Sequence, residues 1–569
     1  MLGALWVVIT AVLARRQVQA VEDRLAQVKT LVAEGRVAEA QQVARTLPAM
    51  TDRAHRLTSG PAWWTAAAVP YLGDPLDVAR GTTAAVQKLG DTAIPDLLRV
   101  AGDINPQTLR VSGHTVALAP LVRAVPTLQQ AGSSLHSAID TVAGLPSNTW
   151  LGAVDRGRSS LLSQLDAVSG YVDAASRAAR VLPGMLGDDG ATRRYFIGLQ
   201  NEAELRGTGG IPGAFTIATA KNGTITFQRF ESDSALLPGT KNNAIDTGLD
   251  FGSSYNQLYG AGLPTQEFND SNVSPQFPYA AQIWAAMWEK QYHQHIDGAL
   301  ALDPTALGYF LAATGPTTAS GHEVTAQNVV ALTERDVYAL YPDNAQRRQF
   351  LVSVLKAAAT KLTSGAGSPV AIVQAASRAA AERRLLVWSS DAATQKLLEQ
   401  TTYAGDISAD GAPLSALVLN NSAAGKLDYY LQRSVNYSRT GCGPRRDVDV
   451  TITLRNTAPA SGLPPYVTTR LDKFPPKNAK PGDSRVTLDY YATGGALVQS
   501  ATLNDKRVGV NASTTLGRTV IRLDVELPRG QTQTIHLHLD EPAMIGAPQI
   551  WLQPAVTPMS LTYANQTCG

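Results

Sequence analysis

The stretch that decides the fold is YFIGLQNEAELRGTGGIPGAF, which occupies residues 195–215. Its opening residues, 195–200, are mostly apolar and predict a buried strand. A polar, glycine-rich turn is expected over 201–210, and a second strand is expected over 214–221. The pair Asn222-Gly223 then predicts a tight type I′ turn into a third strand over 224–230, because both turn residues tolerate positive φ.

On the C-terminal side of this hairpin, the secondary-structure signals change once, from mixed helix and strand to strand alone. Strand-like and helix-like segments alternate to about residue 405, which predicts an α/β domain over 190–405. Beyond residue 415 helix signals vanish, and short alternating segments bounded by Gly, Pro or Asn predict an antiparallel β-sandwich over 415–569. The fold class expected from the whole chain is a multidomain α+β protein.

On the N-terminal side, residues 17–185 predict a helical stalk or bundle, because apolar residues recur there at spacings of three and four. The segment LGALWVVITAVLA, residues 2–14, is uncharged and is followed by Arg15-Arg16. We interpret residues 1–16 as a partial membrane anchor whose basic flank lies upstream, although the run is shorter than a full span. The alternative is a short apolar helix that packs on the protein itself.

Composition excludes several classes of protein. The chain has 569 residues, 44% hydrophobic and 17% charged, which is enough to build cores and excludes overall disorder. Its 49 basic and 47 acidic residues leave a formal charge of +2, so a nucleic-acid partner is not expected. The sequence contains no nucleophile-elbow, P-loop or HExxH motif.

Two cysteines, Cys442 and Cys568, lie late in the chain. They are too few for a four-cysteine zinc site and are either two inert thiols or one disulfide. A disulfide is favoured outside the cytoplasm. We predict this bond, joining the last strand of the sandwich to the first.

Four segments together resemble the bacterial family known as domain of unknown function 4012. They are the stretch 195–215 quoted above, SPQFPYAA at 274–281, IDGALALDPTALGYFLAATGP at 296–316, and KLDYYLQR at 426–433. The resemblance implies a single-pass protein of the cell membrane whose bulk is extracytoplasmic. It implies no activity.

A more distant resemblance is to the LytR–CpsA–Psr family of phosphotransferases. The strand 195–200 followed by Arg206, the strand 225–229, the strand and helix of 296–314, and Arg335 followed by Arg348-Gln349 are similar in order to that family's domain. The resemblance implies that the central α/β domain moves a lipid-linked glycopolymer onto the cell wall.

Such a reaction needs fixed cations against a pyrophosphate, and arginine suits this because its planar fork donates paired hydrogen bonds. The backbone N–H groups of Gly207 and Gly209 would add anion-binding dipoles. A carboxylate-held Mg²⁺ would neutralise developing charge, with Asp233 or Asp270 as ligands; no other cofactor is expected. The candidate phosphate-binding arginines are Arg206, Arg229, Arg335, Arg347 and Arg348.

Two functions therefore stay open. One is a membrane-anchored transferase acting on polyprenyl-pyrophosphate-linked glycopolymer, with Arg206 as the central phosphate contact. The other is a non-catalytic envelope protein that binds wall polymer or a protein partner. A cluster of three or more arginines facing an apolar groove would favour the transferase.

Overall fold

The computed structural model describes residues 2–34, 36–104, 110–112, 115–237, 244–409, 411–566 and 568. The chain divides into two compact units. The first unit is Met1–Ala191 with Asn222–Thr224, and the second is Thr192–Lys221 with Ile225–Gly569.

The first unit is a helical bundle. Its core is formed by small and branched apolar residues that recur at helical spacing, among them Leu128, Leu135 and Val142 on one helix. Its helices and two short antiparallel strands are α1 (Leu2–Ala33), α2 (Val37–Ala44), α3 (Leu47–Thr58), α4 (Pro61–Ala67), α5 (Asp74–Asp91), α6 (Ala93–Asp103), β1 (Arg110–Ser112), β2 (Thr115–Val116), α7 (Ala119–Ala143) and α8 (Gly152–Met185).

The predicted membrane anchor over residues 1–16 is wrong, and with it the single-pass membrane placement. Across the described part of the chain, no helix is long and apolar enough to cross a membrane. The apolar run lies in α1, which continues through Arg15 and Arg16 to Ala33. The indole N–H of the buried Trp63 on α4 donates to Thr10 Oγ1 at 2.8 Å, so this part of α1 packs on the protein.

The second unit begins with a mixed sheet in the strand order β5-β4-β3-β6-β9. β3 is antiparallel to β4 and parallel to β6, and β9 is antiparallel to β6. The elements of this part are β3 (Arg193–Arg206), β4 (Gly209–Lys221), β5 (Thr224–Ser232), α9 (Ser253–Tyr259), α10 (Phe277–Tyr292), β6 (Gly298–Leu302), α11 (Pro304–Thr314), β7 (Thr317–Ala319), β8 (His322–Val324), α12 (Val329–Ala331), α13 (Val337–Leu340), α14 (Asn344–Thr363), α15 (Pro369–Ala381), β9 (Leu385–Ser389) and α16 (Ala392–Leu398).

Helices cover this sheet on both faces. On one face, Trp284 and Trp288 of α10 pack on Phe196 and Phe215 of the sheet. On the other, α11, α14 and α15 contribute apolar side chains to a second core. A mixed sheet buried in this way needs strands that are apolar on both sides, which explains the near-continuous apolar run at the start of the fold-deciding stretch.

The turn expected over 201–210 is shorter in the structure. β3 continues to Arg206 and β4 starts at Gly209, so the polar residues of this motif lie inside the sheet. The predicted turn at Asn222-Gly223 is present, with φ of 49° and 79°.

The C-terminal half of the second unit is a sandwich of two sheets, in the orders β16-β17-β13-β10-β19 and β15-β14-β18-β12-β11-β20. Alternating apolar residues of both sheets fill its core. Its elements are β10 (Leu414–Asn421), β11 (Leu431–Thr440), β12 (Arg445–Asn456), α17 (Pro465–Thr468), β13 (Ser484–Ala492), β14 (Leu497–Leu503), β15 (Lys506–Arg507), β16 (Asn511–Thr515), β17 (Arg518–Leu527), β18 (Thr532–Pro542), β19 (Gln549–Leu552) and β20 (Ser560–Asn565).

The predicted disulfide between Cys442 and Cys568 is confirmed. Cys442 lies in the turn between β11 and β12, and Cys568 follows β20, which pairs in parallel with β11. The bond therefore fastens the segment that follows the edge strand β20 to the turn between β11 and β12.

Candidate functional site

The candidate site starts from an irregularity in β3. Asn201 pairs with Ile211 and Leu205 pairs with Gly210, so residues 202–204 have no partner in β4. Such a bulge leaves backbone groups and side chains to find other partners, and bulges are frequent beside functional sites. Here it places two carboxylates, Glu202 and Glu204, in the interior of the protein.

The first set of residues around this bulge we name the Glu202 cluster: Glu202, Asp303, Glu334 and Arg384. All four are buried. Arg384 Nη1 donates to Glu202 Oε1 at 3.0 Å and to Asp303 Oδ2 at 2.8 Å. Glu334 Oε1 accepts the backbone N–H of Glu202 at 2.8 Å. One guanidinium thus lies in a cluster with three carboxyl groups, and its Nε donates to a fourth, that of the less buried Glu382, at 3.1 Å.

This excess of carboxylate changes the acidity of the cluster. Burial, reinforced by Asp303, raises the pKa of Glu202 well above its ordinary value. Burial likewise raises the pKa of Glu334 to about 8. Glu334 lies in a π-helical turn, Leu332–Asp336, and its Oε2 atom has no hydrogen-bond partner among the described residues. The cluster therefore holds at least one proton at neutral pH.

The second set we name the Glu204 cluster: Glu204, Arg206, Asp270, Lys426 and Asp428. Arg206 Nη2 lies 3.1 Å from Glu204 Oε1 and 3.2 Å from Asp270 Oδ1. The amine of Lys426 contacts Glu204 Oε2 directly. Asp428 Oδ2 accepts the backbone N–H of Leu205 at 2.8 Å. Burial raises the pKa of Asp428 to about 6.

Residues of the sandwich hold both clusters from the other side. Gln553 Nε2 donates to the carbonyl of Arg206 at 2.7 Å, and Arg384 Nη2 donates to the carbonyl of Ala555 at 2.8 Å. The buried Arg433 donates to the Gln553 carbonyl at 3.2 Å. The charges therefore lie between the α/β sheet and the sandwich within one unit.

The structure brings Arg206 and Asp270 together, but as partners of each other. Arg206 is 6% exposed, and its guanidinium donates to two carboxylates and to the carbonyls of Leu205 and Asn269. A phosphate would have to displace these groups to reach it.

Two further arginines of the predicted phosphate site are paired at the surface. Arg229 lies 2.6 Å from Glu231 and stacks over the ring of Tyr292. Arg335 lies 2.7 Å from its neighbour Asp336. An exposed pair of this kind contributes little stability, and each pair satisfies the charge of its arginine.

The last two predicted arginines, Arg347 and Arg348, lie near the start of α14. Arg347 is buried and donates to the carbonyls of Tyr341 and Pro342. Arg348 Nε lies 2.8 Å from Asp233 Oδ1, so this predicted metal ligand is also occupied by an arginine. The five arginines therefore have five separate sets of partners.

The two glycines of the predicted anion site have structural roles. A Cβ atom on Gly207 would lie 2.3 Å from the carbonyl oxygen of Val273, so only glycine fits this close approach. Gly209 has φ of +144°, a conformation that side chains disfavour. Thr208 between them already donates its N–H to the carbonyl of Asn272.

For the predicted Mg²⁺, the structure offers no ready ligand set. Within the described ranges, no group of three or more His, Cys, Asp or Glu side chains is arranged to hold a metal ion. Asp233 and Asp270 lie against Arg348 and Arg206 respectively. A cation next to either carboxylate would have to compete with a guanidinium.

The residues that do gather at the bulge were not singled out by sequence reasoning. They are Glu202, Glu204, Asp303, Glu334, Arg384, Lys426, Asp428 and Arg433. One signal was available: the motifs NEAEL and KLDYYLQR carry charges beside apolar residues on segments whose strand pattern indicates burial.

The second unit is thus an α/β sheet covered by helices and continued by a β-sandwich, with two buried ion clusters at a bulge between them. Residues 190–338 match the family described as Protein of unknown function (DUF4012). This match confirms the resemblance to the family over that segment. The resemblance to the LytR–CpsA–Psr family is not shown.

No curated protein gives a match to the chain. Among solved structures, a protein of Legionella pneumophila described as a candidate nutrient binding protein matches with 12% identity, over 24% of this chain and 46% of its own, at a TM-score of 0.15. An M1 zinc metallopeptidase mutant bound to L-tryptophan matches with 20% identity, over 20% of this chain and 19% of its own, at a TM-score of 0.11. The chain spans less than half the length of either protein, and these scores support no argument.

Proposed function

We propose that this protein is a non-catalytic binding protein of an oxidising compartment, and that it holds an anionic wall polymer on a loop of its sandwich. The observation that carries the proposal is a contrast between two sets of cations. The arginines suited to a pyrophosphate are paired with carboxylates or carbonyls, whereas three lysines on one exposed loop have no ion-pair partner in the described structure.

That loop, residues 471–480, lies between α17 and β13 and we name it the lysine loop. It carries the exposed residues Lys473, Lys477 and Lys480. Two apolar side chains of the same loop are also exposed, Leu471 by 74% and Phe474 by 84%. The neighbouring Arg470 does not add to this charge, because it is paired with Asp472 and Glu526.

A polymer that alternates phosphate groups with carbon-rich units matches this surface. Lysine amines attract phosphate as flexible point charges, and the exposed aromatic and aliphatic side chains offer contacts to the apolar parts of the repeat. The near-neutral charge of the whole chain makes the attraction local to the loop. The disulfide supports the compartment, since such bonds persist where the surroundings are oxidising.

The transferase hypothesis stays a prediction with less support. Its chemistry needs cations that are free to meet charge developing on a leaving group. Arg206, its central residue, is buried between Glu204 and Asp270.

The test is calorimetric titration of the full chain with poly(glycerol phosphate), using uncharged dextran as the neutral control. Changing Lys473, Lys477 and Lys480 together to Gln should weaken binding by roughly tenfold, because exposed charge pairs are worth about 0.2–1 kcal/mol each. The matched control changes Lys506 and Arg507, which are exposed on β15 of the same sandwich. Added salt should weaken the wild-type interaction.

Absence of binding, or equal affinity in the triple variant and the wild type, would overturn the proposal. Equal binding of dextran would show that charge is not what the loop recognises.

A further inference from the structure

The contact between Lys426 and Glu204 is unusual in its burial. The side chains are 14% and 4% exposed, and the amine lies directly against Glu204 Oε2. Glu204 belongs to the bulge of β3, whereas Lys426 follows β10 of the sandwich. The contact therefore joins the α/β part of the second unit to its sandwich, through two residues far apart in sequence.

A third residue completes a constellation. Asp428 is 1% exposed, follows Lys426 by two residues and interacts with it electrostatically, and its Oδ2 accepts the N–H of Leu205, the residue after Glu204. The side chain of Asn421 donates to the same Oδ2 at 2.8 Å. Its other oxygen, Oδ1, is buried with no hydrogen-bond partner in the described part of the chain. A carboxyl oxygen is thus left available to exchange a proton.

A fourth residue, Arg206, polarises the carboxyl group of Glu204. Arg206 Nη2 donates to Glu204 Oε1 at 3.1 Å, the oxygen that would carry negative charge if the carboxyl carbon were attacked. This arrangement of amine, carboxyl, proton relay and fixed cation has the parts of an acyl-transfer site whose two substrates belong to the same chain.

We propose that Lys426 and Glu204 condense to an amide bond that links β3 covalently to the sandwich. The ammonium of Lys426 first gives a proton to Glu204. The neutral amine Nζ then attacks Cδ of Glu204, a C–N bond forms and a C–O bond breaks. Asp428 takes one of the two protons left on Nζ and delivers it to the departing hydroxyl, which leaves as water, while the other proton stays as the amide N–H. Nothing is oxidised or reduced, and no other reactant is needed.

The electrostatics of the site support this step. Burial lowers the pKa of the Lys426 amine to about 8, with Asp428 acting in the opposite direction. A desolvated lysine is a better nucleophile because more of it is uncharged. A buried ion pair also retains the cost of removing two charges from water, and an amide has no such cost.

The decisive measurement is the intact mass of the full chain after denaturation and reduction of the disulfide. The wild type should weigh less than its sequence requires by the mass of one water molecule. Trypsin should not cleave after Lys426, and fragmentation should show a branched peptide that contains both Lys426 and Glu204. The full sequence mass together with cleavage after Lys426 would overturn the proposal.

Two variants assign the roles. Lys426→Arg keeps the positive charge beside Glu204 but has no amine nucleophile, and its mass should equal that required by its sequence. Asp428→Asn can still accept the N–H of Leu205 but cannot relay a proton, and most of its chains should lack the bond. A missing water in the Lys426→Arg variant would place the reaction elsewhere, and a fully linked Asp428→Asn variant would refute the relay.

Discussion

Glu334 offers a sharp test of the electrostatics at the bulge. It is 1% exposed, its Oε1 accepts the N–H of Glu202 at 2.8 Å, and its Oε2 has no hydrogen-bond partner in the described residues. The change Glu334→Gln preserves the shape and the acceptor atom but removes the ability to ionise. The variant therefore reports the cost of the charge alone.

The magnitude follows from the pKa. Burial raises the pKa of Glu334 from 4.5 to about 8. Between these two values the carboxyl is ionised in the unfolded chain and protonated in the folded protein, so unfolding releases a proton and stability falls as the pH rises. The slope is about 1.4 kcal/mol per pH unit. Stability contributed by this group is thus fully present below 4.5 and lost as the pH approaches 8.

Because glutamine does not titrate, the stability of Glu334→Gln relative to the wild type should increase with pH between 4.5 and about 8. The free energy of unfolding of the variant minus that of the wild type should rise by about 1.4 kcal/mol per pH unit, to a total of about 5 kcal/mol. Above pH 8 the difference should level off, since both states are then ionised in the wild type.

The assay is denaturant unfolding of the full chain, followed by circular dichroism between about pH 5 and pH 9. Thr333→Ala is the matched control, because Thr333 is the adjacent residue, is equally buried and has no titratable group. The control should shift stability by the same amount at every pH. A Glu334→Gln difference that stays flat or falls with pH would refute the reasoning.

Two further outcomes are expected. Changing both Cys442 and Cys568 to Ser should lower the free energy of unfolding by about 4–5 kcal/mol under non-reducing conditions, because the bond closes a loop with a sequence separation of 126; a reducing agent should destabilise the wild type but not the variant. Titration with a short-chain polyprenyl pyrophosphate and Mg²⁺ should give no heat, because Glu204 and Asp270 already neutralise Arg206; saturable heat that is lost in Arg206→Ala would instead support the transferase.

Local chemistry explains which features the sequence could predict. The Asn222-Gly223 turn is encoded by two residues that adopt positive φ at little cost, so no distant contact is needed to form it. The sandwich strands are similarly local, because alternating residues along β12 such as Val448, Val450 and Ile452 face the core.

The bulge could not be predicted in this way. Residues 202–204 stay in the sheet region because the N–H of Glu202 is met by Glu334 and the N–H of Leu205 by Asp428, at sequence separations of 132 and 223. When those partners are not known, the polar residues of 201–210 predict a turn. The large sequence separations also explain why the two ion clusters were not predicted. A single charged residue is expected at the surface unless a buried partner is known.

The membrane anchor failed for a related reason. An apolar run of helix looks the same whether lipid or protein covers it. Here Trp63, at a sequence separation of 53, meets Thr10 and buries part of the run. The predicted arginine site shows the reverse case, because the residue type alone could not show that Arg206 and Arg348 already had carboxylate partners.

The buried charges also bear on how the second unit folds. Arg384 on the α/β side donates to Glu202, Asp303 and Glu382, and it also donates to the sandwich carbonyl of Ala555. Lys426 contacts Glu204 from the sandwich side. Removing one partner from a buried ion pair costs about 3–5 kcal/mol. Separating the α/β part from the sandwich would therefore expose these charges or leave them unpaired. The clusters therefore make the α/β sheet and the sandwich depend on each other, and an amide between Glu204 and Lys426 would make that dependence permanent.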